Sequence, residues 1–166
     1  MFSHKNIRLH PSNYLGQKSH FITILTNARH PVFADISITT EFITLLQSES
    51  SNHSFFLHAY CFMPDHLHFL VEGLEPTSDL LRFVKSFKLK SSGSYLQQTS
   101  KILWQKKFYD NIIRSSQPLE PVILYILMNP VRKHLASALN EYPFSYASPR
   151  FKLSTRTSTD WRPPKP

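Results

Sequence analysis

The 166-residue chain has one cysteine, Cys61, and only three glycines. A single cysteine rules out a disulfide within the monomer, and with it a disulfide-stapled scaffold. It also rules out the His-x-Glu and Pro-Cys-x-x-Cys ligand set of the zinc deaminases. Cys61 sits between Tyr60 and Phe62 in an apolar run and reads as packed, not nucleophilic. Three scattered glycines leave no Gly-rich loop to cradle a nucleotide phosphate. No apolar run is long enough to span a bilayer, and Met1–Lys18 lacks the continuous apolar stretch of a secretory leader, so a cytoplasmic protein without a membrane partner is expected. Acidic residues are scarce as well. There are 11 Asp and Glu against 19 Lys and Arg, a formal net charge of +8, and a domain this basic points toward a polyanion such as nucleic acid.

What the chain does contain supports one folded domain: 41% hydrophobic and 13% aromatic residues. Ser19–Asn27 is β-branched and aromatic and predicts a first strand. Thr39–Ser50, with Phe42, Ile43, Leu45 and Leu46, predicts an amphipathic helix capped by Thr39 or Thr40. Phe55–Met63 and His66–Glu72 predict two strands around a Pro64-Asp65 break. A second helix is expected from about Asp79 to Gln98, capped by Thr77 or Ser78, with Leu80, Leu81, Val84 and Phe87 at helical spacing. Ile102–Trp104 and Phe108–Arg114 look extended. Pro118 and Glu120 suit the start of a third helix running to Met128, and a last helical piece is expected over Val131–Ala138. The order is that of an α+β, ferredoxin-like βαββαβ core, an antiparallel sheet with helices on one face, followed by a C-terminal helix. An N-terminal arm (1–18), a domain (19–147) and a flexible basic, proline-rich tail (148–166) follow from the composition, with Trp161 able to dock.

Chemistry concentrates in two places. His66 and His68 are i and i+2 on a strand, so both imidazoles point to one face, where they can hold a divalent metal. Taken alone, such a pair is more often two ordinary histidines. Tyr125 and Asn129 are i and i+4 on one helix face. A tyrosine oxygen beside a metal-bound phosphate is a candidate nucleophile, and an asparagine oxygen one turn away can complete the coordination. On pattern alone, Asn129 before Pro130 fits a helix N-cap better than a ligand. A metal-dependent hydrolase would want a carboxylate base, for which Asp65 is the only nearby candidate.

Four segments in order carry a resemblance. Met63-Pro64-Asp65-His66-Leu67-His68 resembles the Met-Pro-Asn/Asp-His-x-His signature of the single-tyrosine HUH transposases. Tyr125-Ile126-Leu127-Met128-Asn129-Pro130-Val131-Arg132 resembles a segment of their REP-associated tyrosine transposase subgroup, as do Trp104-Gln105 with Phe108-Tyr109-Asp110 and Ile113-Arg114, and Tyr142-Pro143-Phe144-Ser145. The match runs from about His20 to about Tyr146. The resemblance implies an HUH fold, a Mg²⁺ or Mn²⁺ ion held by His66, His68 and Asn129, and Tyr125 as nucleophile. It implies cleavage and strand transfer of single-stranded DNA near a hairpin or repeat, through a 5′-phosphotyrosine link. The protein would act as a monomer or a homodimer. Lys85, Lys88, Lys106, Lys107, Arg114 and Arg132 are the candidate DNA-binding cations, and Trp104 a candidate base-stacking ring. Asp65 stands where many relatives carry Asn and adds negative charge near the scissile phosphate. The alternative is a catalytically silent, transposase-derived DNA-binding protein.

Overall fold

Period-two alternation of apolar side chains builds the sheet. In the computed structural model, which describes residues 10–139, 141–151 and 160–164, the strands are β1 (Ser19–Thr26), β2 (Phe55–Met63), β3 (His66–Gly73), β4 (Trp104–Ile113) and β5 (Ser145–Ala147). They lie in the order β4-β1-β3-β2-β5, with every neighbouring pair antiparallel. The helices are α1 (Ile36–Asn52), α2 (Leu80–Thr99), α3 (Glu120–Leu127) and the single turn α4 (Asn129–Arg132). The expected βαββαβ core is present.

Four local expectations are corrected. The two extended pieces around Trp104 and Phe108 are one strand, β4. The helical piece expected over Val131–Ala138 stops at Arg132, and His134 turns the backbone away with φ 57°. The caps are not threonine or serine: Asp35 accepts from the backbone N–H groups of Ser37 and Ile38 to start α1, and Asp79 accepts from that of Arg82 to start α2. Strand β5, which pairs with β2 through Ala59 and Ala147, was not expected. The flexible tail expected over 148–166 falls partly on residues 152–159 and 165–166, which lie outside the described residues.

The two helices of the core lie on one face of the sheet, as expected, and the C-terminal helix α3 covers the other. On one face, α1 and α2 enclose Phe33, Phe42, Phe62, Phe69, Phe83 and Phe87, all fully buried. Each such ring contributes roughly 1.5–3 kcal/mol by leaving water. On the other face, α3 packs Val122, Ile123, Ile126 and Leu127 against Phe21, Ala59, Cys61, Met63 and Leu70. Gly73 closes β3 where the Gly16 carbonyl oxygen passes 2.1 Å from the place a Cβ would occupy, so no side chain fits there. Among the described residues, no helix is long and apolar enough to cross a membrane.

Candidate active site

The Pro64-Asp65 turn is the tightest link in the sheet: Met63 and His66 pair directly across it. Proline at the first central position presets that turn. Its backbone is tied down from outside, because Pro64 O accepts from Phe33 N–H at 3.0 Å and Asp65 O from Thr26 N–H at 3.0 Å and Thr26 Oγ1 at 2.9 Å. Strand β3 leaves this anchored turn with His66 and His68 on the α3 face and their ring centroids 4.6 Å apart.

Each imidazole is oriented through Nδ1. His66 Nδ1 lies 2.5 Å from Asp65 Oδ1, and His68 Nδ1 lies 2.7 Å from Thr23 Oγ1, its cross-strand neighbour. That arrangement leaves both Nε2 atoms to serve a ligand, as in metal sites where the second nitrogen is held by a carboxylate or hydroxyl. Both histidines are held below their ordinary pKa. For His68 the causes are burial and then the charges of His66, Arg132 and Arg29; for His66, burial outweighs the opposing hydrogen bond and charge of Asp65. Both are therefore neutral near pH 7, the form that donates to a metal. Asp65 is lowered as well, which keeps it charged: burial alone would raise its carboxyl, but the His66 hydrogen bond and the His66 and Arg29 charges bring it below the usual range.

Helix α3 brings Tyr125 to the same place in the same chain. The Tyr125 and His68 ring centroids are 5.9 Å apart at 64°, and Phe21, stacked on His68 at 5.4 Å, meets Tyr125 edge-on at 5.8 Å. Asn129 corrects the cap reading. It is the first residue of α4, Met128 holds the cap position, and Asn129 Nδ2 donates to Tyr125 O at 3.0 Å, which leaves its Oδ1 as an acceptor. The Asn129 side chain is nearly buried, at 7% exposure. Two imidazoles and an amide oxygen would together make a mixed N/O donor set, one that suits Mn²⁺ better than Mg²⁺. Among the described residues no group of three or more His, Cys, Asp or Glu side chains could hold a metal ion, at this place or elsewhere.

The cations sort unevenly. Arg132 Nη2 donates to Tyr125 O at 2.8 Å, and its guanidinium lies 4.5 Å from the Tyr125 ring centroid. Arg29, not among the expected DNA contacts, also acts on both histidines through its charge, and Lys133 acts on His66. The α2 cations do not converge here. Lys85 is exposed on the opposite side of the sheet, and Lys88 Nζ donates to Gln105 O and Lys106 O at 2.7 and 3.1 Å. Arg114 lies beyond Ile113, at the far end of the sheet from His66. Trp104 is not a stacking platform: it is 5% exposed, its Nε1–H donates to Ser91 Oγ at 2.8 Å, and its ring packs on Phe33. Tyr109 is better placed. It is 41% exposed and lies in one cross-strand row with Thr23 and His68, with Lys106 and Lys107 exposed on the same strand. Trp161 does dock, edge-on to both Tyr125 and Phe21 at 5.1 Å. Burial pushes the Cys61 thiol far up, as expected of a packed cysteine.

Comparison with known proteins bears directly on this geometry. A family profile described as "Transposase IS200 like" matches residues 14–129. A Haemophilus influenzae protein named as a REP-associated tyrosine transposase is 23% identical over 137 residues, which is 76% of this chain and 77% of that protein. The REP-associated tyrosine transposase of Escherichia coli is 28% identical over 94 residues, or 55% of this chain and 53% of that one. Among solved structures, a REP-associated tyrosine transposase bound to a REP hairpin superposes with a TM-score of 0.71 at 20% identity, covering 85% of this chain and 81% of the other. A Deinococcus radiodurans protein described as a transposase superposes with a TM-score of 0.52 at 19% identity, covering 69% and 88%. At these identities the two structures speak for the fold alone.

Proposed function

The chain belongs to the IS200-like transposase family, and on that premise we propose that it cleaves and transfers single-stranded DNA beside a hairpin or repeat, with Tyr125 as nucleophile. The observation that carries the reading is the approach of Tyr125 to His68 within one chain, ring centroids 5.9 Å apart. Residues 19–147 form the working unit, with 1–18 as an arm and 148–166 as a tail. His66, His68 and Asn129 would hold Mg²⁺ or Mn²⁺, and the bound ion would supply positive charge against the charge that develops on the scissile phosphate.

The remaining steps belong to the protein. Tyr125 Oη attacks phosphorus in line; the bond from phosphorus to the 3′-oxygen breaks as the tyrosyl–phosphorus bond forms. The tyrosine proton is lost and the leaving 3′-oxygen ends as a hydroxyl, so charge and atoms balance without a cosubstrate. A different 3′-hydroxyl attacking the 5′-phosphotyrosine reverses the step and completes strand transfer. Arg132 and Asn129 fix the Tyr125 carbonyl, and so the pitch of the helix that presents the ring. Arg29, Arg132 and Lys133 place positive charge around two neutral imidazoles, a setting that favours a phosphodiester. Arg132 and the exposed Tyr109 ring form the DNA path on this side, with Lys106 and Lys107 exposed along the edge strand β4; Lys85, Lys88 and Arg114 contribute at most through the general positive field. A hairpin-bound neighbour supports a hairpin as the DNA partner.

Labelled single-stranded hairpin DNA with Mn²⁺ tests this directly. A covalent protein–DNA adduct is expected, absent in Tyr125→Phe, while His66→Ala retains binding without cleavage. An adduct that survives Tyr125→Phe would overturn the nucleophile. Binding with no adduct over a range of hairpins would favour the silent DNA-binding protein. Because Tyr125 faces its own histidines, mixing inactive Tyr125→Phe and His68→Ala proteins should restore no activity; restoration would mean the tyrosine is exchanged between protomers.

A further inference from the structure

The carboxylate of Asp65 touches both a proposed metal ligand and a cation. One oxygen, Oδ1, lies 2.5 Å from His66 Nδ1, and the other, Oδ2, lies 3.1 Å from Arg29 Nη1. The pair is half-open to solvent, with 55% of the Arg29 and 31% of the Asp65 side chain exposed, whereas the His66 side chain is 12% exposed. Arg29 reaches Asp65 from an unusual backbone. Ala28 and Arg29 are consecutive residues in the left-handed region, φ 51° and 57°, where a residue with a Cβ is strained and glycine is not. That turn is fastened to the same place as the Asp65 turn: Thr26 bonds Asp65 O through both its N–H and its hydroxyl, and Asn27 N–H donates to Leu103 O at 2.7 Å. A glycine in place of Ala28 or Arg29 would relieve the strain, but glycine at 29 could not supply a guanidinium.

We propose that Asp65, backed by Arg29, is a positioning residue that fixes His66 as its Nδ1–H tautomer and turns Nε2 toward the bound ion. The inference rests on the metal role assigned above. An imidazole ring in the 66 position with nothing on Nδ1 would divide between two tautomers, only one of which leaves Nε2 free. A carboxylate accepts more strongly than an amide, and an uncompensated carboxylate beside a phosphodiester would repel it. Arg29 removes that repulsion by neutralising the oxygen that His66 does not use. Thr23 performs the neutral version of the task on His68, with Oγ1 2.7 Å from Nδ1. The two ligands thus have different supports: one charged and paired, the other a hydroxyl inside the sheet.

Two measurements on protein without DNA test the idea. In the metal-free protein, ¹⁵N-edited NMR of the histidine rings should show His66 protonated on Nδ1. In Asp65→Ala it should divide between tautomers, while Asp65→Asn, whose amide oxygen can accept the same bond, keeps Nδ1–H. A Mn²⁺ titration by calorimetry should then give an affinity about 10–100-fold weaker in Asp65→Ala, within a few-fold of the parent in Asp65→Asn, and intermediate in Arg29→Gln. Thermal midpoints recorded alongside identify any variant that is merely unfolded. An Nε2–H tautomer for His66 in the parent protein overturns the proposal, and so does an Asp65→Ala variant with parental Mn²⁺ affinity. Failure of the underlying metal reading looks different: the parent itself would not bind Mn²⁺, yet the metal-free tautomer would still decide for or against Asp65.

Discussion

Strand β3 carries a dry face and a working face on the same backbone. Leu67, Phe69 and Val71 are all fully buried and packed under α1 and α2. One residue out of step, His66 and His68 point to the α3 face, where their aromatic and polar neighbours Phe21, Tyr125, Thr23 and Asp65 stand beside the apolar Met63. The first face stabilises and does nothing else. The second spends some of that stability, since it removes two imidazoles from water and holds each by a single hydrogen bond. A strand pinned at a tight turn and buried on both sides lets the two imidazoles be set side by side without a loop having to order on binding.

Substitution on the two faces should therefore separate stability from chemistry. Phe69→Ala removes a fully buried ring from the dry face and should cost about 3–5 kcal/mol in urea unfolding, while any protein that remains folded keeps its Mn²⁺ affinity. His68→Ala should change stability by about 1 kcal/mol or less, because a desolvated imidazole contributes little net, and should abolish cleavage. If His68→Ala unfolds the protein as Phe69→Ala does, the division between the faces is wrong.

His20 is the exception on the dry face and sharpens the contrast. It is fully buried, stacks with Tyr14 at 6.4 Å, and neither ring nitrogen has a hydrogen-bond partner among the described residues. Burial first, and then the Lys18 charge, bring its pKa down from 6.5 to about 4. The unfolded chain takes up that proton first, so the stability tied to neutral His20 is complete above pH 6.5 and is lost as the pH falls toward 4. The contribution is of order 3 kcal/mol across that window. Buried His58 and His68 and the partly buried His66 also have lowered pKa values and give slopes of the same sign. The measurement is thus a difference: unfolding free energy at pH 7 against pH 4.5 should fall less in His20→Leu than in the parent. Equal slopes would remove His20 as a source of acid sensitivity.

Thr23→Val probes the working face more gently. Valine keeps the β-branch and the volume but strips the oxygen from His68 Nδ1. The expected cost is about 1–2 kcal/mol for the unpaired nitrogen, with Mn²⁺ bound about tenfold more weakly. A loss of stability with unchanged Mn²⁺ affinity would mean that Thr23 supports the sheet and not the ligand.

How much of this was legible depended on whether the signal was local. Period-two runs marked β1, β2 and β3 to within a residue, and the histidine pair and its proposed partner helix were visible because i, i+2 and i, i+4 spacings are properties of the chain itself. Trp104 was not: its partners, Ser91 and Phe33, arrive from distant segments, so nothing in the sequence distinguished a buried ring from a stacking one. Arg29 had no signal either, because a left-handed turn built from Ala-Arg lacks the glycine that would announce it. Strand β5 is three residues long, too short for alternation to register.

The helix starts failed for a related reason, and they supply the smallest test of the two-face division. Apolar spacing begins at Phe42, which made Thr39 and Thr40 look like caps. The first turn of α1 is instead solvent-facing, with Ile36 69% exposed, and the Asp35 carboxylate accepts from the Ser37 and Ile38 N–H groups at 2.9 and 3.1 Å. Thr39 lies inside the helix and its hydroxyl donates to the Phe33 and Asp35 carbonyls. Asp35→Ala should cost about 1 kcal/mol, and Thr40→Ala well under that, since Thr40 Oγ1 only bonds back to Ile36 O within the helix. Because α1 supports only the dry face, neither change should move Mn²⁺ affinity or the yield of the covalent adduct. A change in either readout would show that strain on the helical side passes through β3 to the histidines, and that the two faces are coupled rather than merely back to back.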